Sequence, residues 1–178
     1  MVGQPAGAPQ DLVLGGTAVD AASCGPAPGD EVPDFALRNQ YGETVQLEHL
    51  SGTPSVLMFY PFAFSRVCSA ELTEIREGWS EISALGVRFC AISSDSVYTL
   101  RAYAEELGEV HFDLLSDFWP HGAVAKAFGA FDSQKGCPRR VTFVLNDQLH
   151  LHRRIAADFT QSRDLAEVLT AVREIHQL

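Results

Sequence analysis

The stretch Phe59-Tyr60-Pro61-Phe62-Ala63-Phe64-Ser65-Arg66-Val67-Cys68-Ser69-Ala70-Glu71-Leu72 decides how this chain reads. It opens at the end of an apolar, β-prone run, residues 56–60, which stops at a proline. A short aromatic loop follows. Leu72, Ile75, Trp79, Ile82 and Leu85 then recur three or four residues apart, the spacing of one helix face. The reading is strand, loop, helix, with Cys68 in the first helical turn. That turn presents unpaired backbone N–H groups and the positive end of the helix dipole. A thiolate is stabilised there, which makes it a better nucleophile at neutral pH. Arg66 adds positive charge nearby. The competing reading is a buried structural cysteine, since free cysteine is among the most buried residue types.

Working outward, residues 34–38 and 44–47 flank the turn segment Asn39-Gln40-Tyr41-Gly42-Glu43 and read as an N-terminal β-hairpin. Leu50-Ser51-Gly52 turns into the first core strand, 55–60. The Cys68 helix is expected to run to about Gly86. Residues 87–93 read as a second buried strand, with Cys90 as a small core residue. Ser94-Asp95-Ser96 caps a helix whose face carries Val97, Leu100, Tyr103 and Leu107. A short strand at 111–115, a short helix at 123–128 and a polar loop at 129–138 follow. Residues 141–146 and 149–155 form a strand pair around Asp147-Gln148. From Ser162 a final helix carries the stripe Leu165, Val168, Leu169, Val172 and Ile175. Alternating strands and helices followed by an antiparallel pair give a mixed central sheet with helices on both faces. That order matches an α/β, thioredoxin-like fold, in which Ser65-Arg66-Val67-Cys68 stands where a thioredoxin carries C-x-x-C. A hydroxyl replaces the first sulfur, so no disulfide can form within the motif.

Composition narrows the function. With 178 residues, 46% hydrophobic and 20% charged, the chain suits one domain with a buried core. It divides into a Gly-, Ala- and Pro-rich flexible tail, 1–28, and a folded domain, 29–178. A net charge of −10 argues against nucleic acid or an anionic membrane as partner. No apolar run approaches the roughly 20 residues that span a bilayer. The first basic residue is Arg38, so a basic secretory start is lacking and a cytoplasmic location is expected. Four cysteines, Cys24, Cys68, Cys90 and Cys137, contain no C-x-x-C spacing. In that compartment they read as free or redox-active thiols, with no zinc site and no cofactor expected.

Three features carry a family resemblance. Pro61, Ser65 and Cys68 form P-x-x-x-S-x-x-C, which resembles the P-x-x-x-T/S-x-x-C signature of peroxiredoxins. The run Leu115-Ser116-Asp117-Phe118-Trp119-Pro120-His121-Gly122, continuing to Gly129, resembles the AhpE-type branch of one-cysteine peroxiredoxins. Arg140, in Arg140-Val141-Thr142-Phe143-Val144-Leu145, falls where that family places its second-strand arginine. The resemblance extends from about Gly29 to the C-terminus.

It implies a thiol-dependent peroxidase that reduces hydrogen peroxide or organic hydroperoxides through a sulfenic acid on Cys68. In that scheme Cys68 is the nucleophile and Ser65 bonds the peroxide. Arg140 stabilises thiolate and leaving oxygen, while Pro61 shapes the loop and limits water. Val67 and Phe64 line the substrate pocket; Glu71, one turn after Cys68, holds the arginine or is a surface acid. Arg139 and Arg140, adjacent on a strand, point to opposite faces. Phe118, Trp119 and Phe64 are core residues or a dimer contact. His121 packs or caps rather than acting as a base. The resemblance further implies a homodimer and an external reductant, a mycothiol-, glutaredoxin- or thioredoxin-like partner. Cys137 and Cys24 are the candidates for internal resolution of oxidised Cys68.

Ser65 in place of threonine keeps the hydroxyl and loses the methyl that fixes its rotamer. Val141, where glycine is usual, is expected to tilt Arg140 or narrow the pocket. Asn146 replaces a usual turn acid. Two other functions fit the same residues: thiol–disulfide exchange between Cys68 and Cys137, and a binding or biosynthetic protein on this fold without peroxidase activity.

Overall fold

The computed structural model describes residues 25–177. The stretch 1–24, with Cys24, lies outside the described residues. Residues 25–28 run along the fold: a Cβ on Gly25 would stand 2.1 Å from the Phe128 carbonyl oxygen. Gly29 N–H then donates to Leu151 O (2.7 Å) and stitches the chain to the sheet.

The strands are β1 (Ala36–Arg38), β2 (Thr44–Gln46), β3 (Ser55–Phe59), β4 (Arg88–Ser93), β5 (Asp113–Ser116), β6 (Phe131–Asp132), β7 (Cys137–Pro138), β8 (Arg140–Leu145) and β9 (Leu151–Ala157). The helices are α1 (Arg66–Glu77), α2 (Trp79–Ala84), α3 (Val97–Leu107), α4 (Ala123–Ala127) and α5 (Leu165–Ile175). A 3-10 turn spans Leu47–Leu50. Seven strands form one mixed sheet in the order β2-β1-β5-β4-β3-β8-β9, and β6 pairs with β7 apart from it. β3 is central, parallel to β4 (Phe59↔Ile92) and antiparallel to β8 (Phe59↔Val141). This is the thioredoxin-like arrangement expected from the order of elements.

Strand alternation divides the core in two. Val56, Met58 and Tyr60 face α1, α2, α3 and α5 together with Cys68, Leu72, Leu100 and Val172. Leu57 and Phe59 face the other way, toward Phe35, Ala125, Phe128 and Phe143. Phe128 packs on Phe59 and Phe143 at ring distances of 5.4 and 5.1 Å. On β8, Val141, Phe143 and Leu145 fill the second core, so Arg140, Thr142 and Val144 turn toward α1.

Two elements differ from the sequence reading. The expected single helix to Gly86 is broken at Gly78 into α1 and α2, although the apolar stripe runs through the break. Gly78 takes φ −83° and ψ 8°, and a Cβ there would press to 3.2 Å from Glu74 O. The expected polar loop 129–138 contains the β6–β7 hairpin, paired as Phe131↔Pro138 and Asp132↔Cys137.

Candidate active site

The loop after β3 leaves the sheet at the C-terminal ends of its parallel strands, where α/β folds gather ligands. Tyr60 N–H still donates to Ile92 O (2.9 Å), and buried Pro61 has no N–H with which to continue the ladder. Asp95, just past β4, accepts from Ala63 N–H (2.8 Å) and from Ser93 Oγ (2.8 Å), which fixes the loop. Phe64 sits in the left-handed region at φ 62°, an unfavourable conformation for a bulky residue. Its ring rests on Tyr103 at 4.9 Å, and Tyr103 Oη bonds Ser69 Oγ at 3.0 Å. These contacts hold the turn that launches α1.

Ser65 is the N-cap of α1 in extended conformation. A serine there ordinarily accepts a hydrogen bond from an N–H of the first turn. This one makes no such bond: its Oγ is buried without any hydrogen-bond partner. Cys68 follows as the third helical residue, 0% exposed, on the same buried face as Glu71, Leu72 and Ile75. Val67 beside it is half-buried, while Arg66 points to solvent.

One turn on, Glu71 is buried between two buried arginines. Its Oε2 accepts from Arg140 Nη1 (2.6 Å) and Arg163 Nη2 (2.9 Å). Its Oε1 accepts from the backbone N–H (2.8 Å) and Nε (3.0 Å) of Arg163. Both oxygens are therefore occupied by the arginines, which is the holding role expected of Glu71. Arg140 Nε also donates to Phe159 O (2.9 Å), and Arg163 Nη1 donates to Phe59 O (2.6 Å). Nη2 of Arg140 makes no hydrogen bond among the described residues. Burial pulls the Arg163 guanidinium below its ordinary value, and Glu71 opposes that pull. Arg139, by contrast, is exposed and lies between β7 and β8, outside either strand.

Arg140 does not hydrogen-bond the Cys68 sulfur; it is anchored on Glu71, one helical turn along. Cys68 nevertheless lies within electrostatic reach of Tyr60, Tyr103, Cys137 and Arg163. Burial pushes the Tyr103 phenol up to about 12 and Tyr60 well above its usual value, so both stay protonated. Tyr60 Oη is buried without a partner of good geometry, although Ser93 lies close to it.

Cys137, on the β6–β7 hairpin, is 0% exposed. Its neighbour Gly136 accepts a bond from His121 Nε2 (2.8 Å), so His121 ties the loop before α4 to the hairpin. Gly122 is required in that loop: φ is 66°, and a Cβ would stand 2.1 Å from the Phe131 ring. Val141 does not narrow the site; its side chain lies in the second core, on the face away from the Arg140 guanidinium. Phe64, Phe118 and Trp119 are not core residues. They are 45%, 52% and 82% exposed, beside Phe62 at 46%.

Arg163 was missed by sequence reasoning, which treated Ser162-Arg163-Asp164 only as a helix start. A signal existed in Glu71, an acid on the apolar stripe of α1. A buried carboxylate has more acceptor capacity than one Arg140 contact fills, but nothing along the chain names the second donor, 92 residues away.

The chain matches the family model "AhpC/TSA family" over residues 28–154. It is 40% identical over 119 residues to alkyl hydroperoxide reductase E of Mycobacterium tuberculosis, covering 66% of this chain and 77% of that protein. It is 32% identical over 125 residues to the putative peroxiredoxin bcp of Haemophilus influenzae, covering 67% of this chain and 79% of that protein. Among solved structures, peroxidoxin BcpB from Mycobacterium tuberculosis superposes with a TM-score of 0.75 at 31% identity, covering 84% of this chain and 98% of that one. Enterococcus faecalis AhpC superposes with a TM-score of 0.74 at 26% identity, covering 85% and 92%. With the strand–loop–helix cysteine, the buried glutamate and its arginines in the same fold, the chain belongs to the AhpC/TSA family and is a peroxiredoxin.

Proposed function

We propose that Cys68 reduces hydrogen peroxide and organic hydroperoxides. The observation that carries this reading is Ser65 Oγ, a buried N-cap hydroxyl with no partner, three residues before a helix-start cysteine. The thiolate attacks one peroxide oxygen, the O–O bond breaks, and the other oxygen leaves with a proton as water or alcohol. Cys68 is left as a sulfenic acid. Ser65 Oγ bonds the incoming peroxide. The free Nη2 of Arg140 faces the charge that develops on the leaving oxygen. Pro61, Val67 and Phe64 form the wall of the pocket. An external thiol or thiol–disulfide protein restores the cysteine with its own electrons. Peroxide consumption by the purified protein with a small thiol reductant tests the whole reading; a rate equal to buffer with thiol alone rejects it.

Ser65 gives a sharper test. Because its side chain does not cap α1, Ser65→Ala leaves the melting temperature nearly unchanged, where loss of a working cap costs about 1 kcal/mol. The kcat/KM for peroxide falls about a hundredfold, the scale of one lost transition-state donor, and Ser65→Thr restores it. A stability loss with unchanged kcat/KM refutes the role.

The protein acts as a homodimer joined through the aromatic residues around the site. Phe62 and Phe64 come from the Cys68 loop, and Phe118 and Trp119 from the loop after β5. Such exposed aromatics are the usual anchors of protein interfaces. Among the described residues no helix is long and apolar enough to cross a membrane. Free thiols at Cys68, Cys90 and Cys137 suit a reducing, cytoplasmic setting. Sedimentation velocity shows a dimer for the wild type and a monomer for Phe118→Ser/Trp119→Ser; a dimer in both sinks the assignment of this face.

A further inference from the structure

Tyr103 touches the Cys68 segment twice, from another helix. Its ring carries the Phe64 ring, with 4.9 Å between centroids, and its Oη bonds Ser69 Oγ at 3.0 Å. Phe64 directly precedes Ser65, and Ser69 directly follows Cys68, so the two contacts bracket both reacting side chains. We propose that Tyr103 is a positioning residue of this site: it fixes the separation between Ser65 Oγ and Cys68 Sγ across which the peroxide is held. This rests on the peroxidase reading of Cys68.

The segment needs an outside brace for two local reasons. Phe64 has φ 62°, which a bulky side chain keeps only where its surroundings impose it. Ser65 is the N-cap by position, but its hydroxyl makes no cap bond, so the start of α1 lacks the bond that ordinarily fixes it. Asp95 holds the upstream end through Ala63 N–H (2.8 Å). Beyond that point, among the described residues, Ser69 to Tyr103 is the one side-chain hydrogen bond made by residues 64–69. α3 is suited to bracing. Ser96 caps it by accepting from Thr99 N–H (3.2 Å), and Leu100, Tyr103 and Leu107 form its buried face. Asp95 directly precedes that cap, so both braces come off one rigid element. Tyr103 is 0% exposed, and burial pushes its phenol up to about 12, so the hydroxyl stays protonated across the neutral range. A side chain that only fills the core needs no hydroxyl; here the hydroxyl's partner is the residue beside the nucleophile.

The test compares kcat/KM for hydrogen peroxide in the full chain, well below the melting temperature. Tyr103→Phe keeps the ring and drops the bond; kcat/KM falls about tenfold, inside the hundredfold that a displacement of about 1 Å can cost. Ser69→Ala removes the same bond from the half-buried side, so it folds even where loss of the phenol disturbs α3. Its kcat/KM falls equally, and the two changes together fall no further. Ser69→Thr, which keeps the hydroxyl, restores the rate. On the Ser65→Ala background, Tyr103→Phe changes kcat/KM less than about twofold, because the separation stops mattering once the Ser65 hydroxyl is gone. A residue that only stabilises the fold adds its full loss there too. Wild-type rates in Tyr103→Phe and Ser69→Ala, or the same loss for Tyr103→Phe with and without the Ser65 hydroxyl, overturn the inference and leave the peroxidase reading standing. A wild type without peroxide turnover overturns both.

Discussion

Cys68→Ser abolishes peroxide turnover, with kcat/KM down by at least about 10⁴-fold. The size follows from the reacting atom. A serine hydroxyl does not ionise near neutral pH, and the helix start that stabilises a thiolate cannot bring an alcohol into that range. Everything else in the site remains: Ser65 Oγ, the Glu71-anchored Arg140, and the loop held by Asp95. None of these can form the bond to oxygen, so binding persists without chemistry. The new hydroxyl is buried and costs about 1–3 kcal/mol if it finds no partner. Cys68→Ala, which brings no hydroxyl, must therefore fail equally, measured as peroxide consumed under excess thiol. Turnover within tenfold of wild type in either variant removes Cys68 from the centre of the reaction.

The sequence made some of this legible because certain signals are local. β3 could be read from its apolar run and proline, and α1 from a stripe that places Cys68, Glu71, Leu72 and Ile75 together. Alternation said only that Arg139 and Arg140 point apart; the family resemblance chose Arg140. What failed was not local. The stripe keeps its phase across Gly78, so periodicity cannot reveal the break between α1 and α2. β6 and β7 are two residues each, too short to show alternation. Phe118 and Trp119 read as core or a dimer contact, and their exposure removes the first of these, since hydrophobicity does not say which apolar side chains stay on the surface. Arg163 was invisible because its value depends on a loop crossing β8 to reach α1.

That crossing carries the second large expectation. Glu71→Ala destabilises the fold by about 3–5 kcal/mol, the usual cost of breaking a buried ion pair from one side. For a chain of this size that lowers Tm by roughly 10 °C or more. The carboxylate accepts four N–H bonds, and its removal leaves two buried guanidinium groups facing each other. Glu71→Gln fares little better: its amide keeps one acceptor oxygen and aims two donors at arginine donors. Salt does not rescue either variant, since screening acts weakly on buried charge. Replacing Glu71 and Arg163 together, as Glu71→Leu/Arg163→Met, recovers only part of the stability, because one orphaned guanidinium is gone while that of Arg140 stays buried without its carboxylate. It does not recover activity. Arg140 then keeps only its Phe159 O contact and is no longer aimed from α1, so kcat/KM stays low while the denaturation midpoint returns only in part. Denaturant unfolding and peroxide kinetics on the three variants separate the two effects. An unchanged midpoint in Glu71→Ala, or full activity in the double variant, shows that the buried glutamate does not position Arg140.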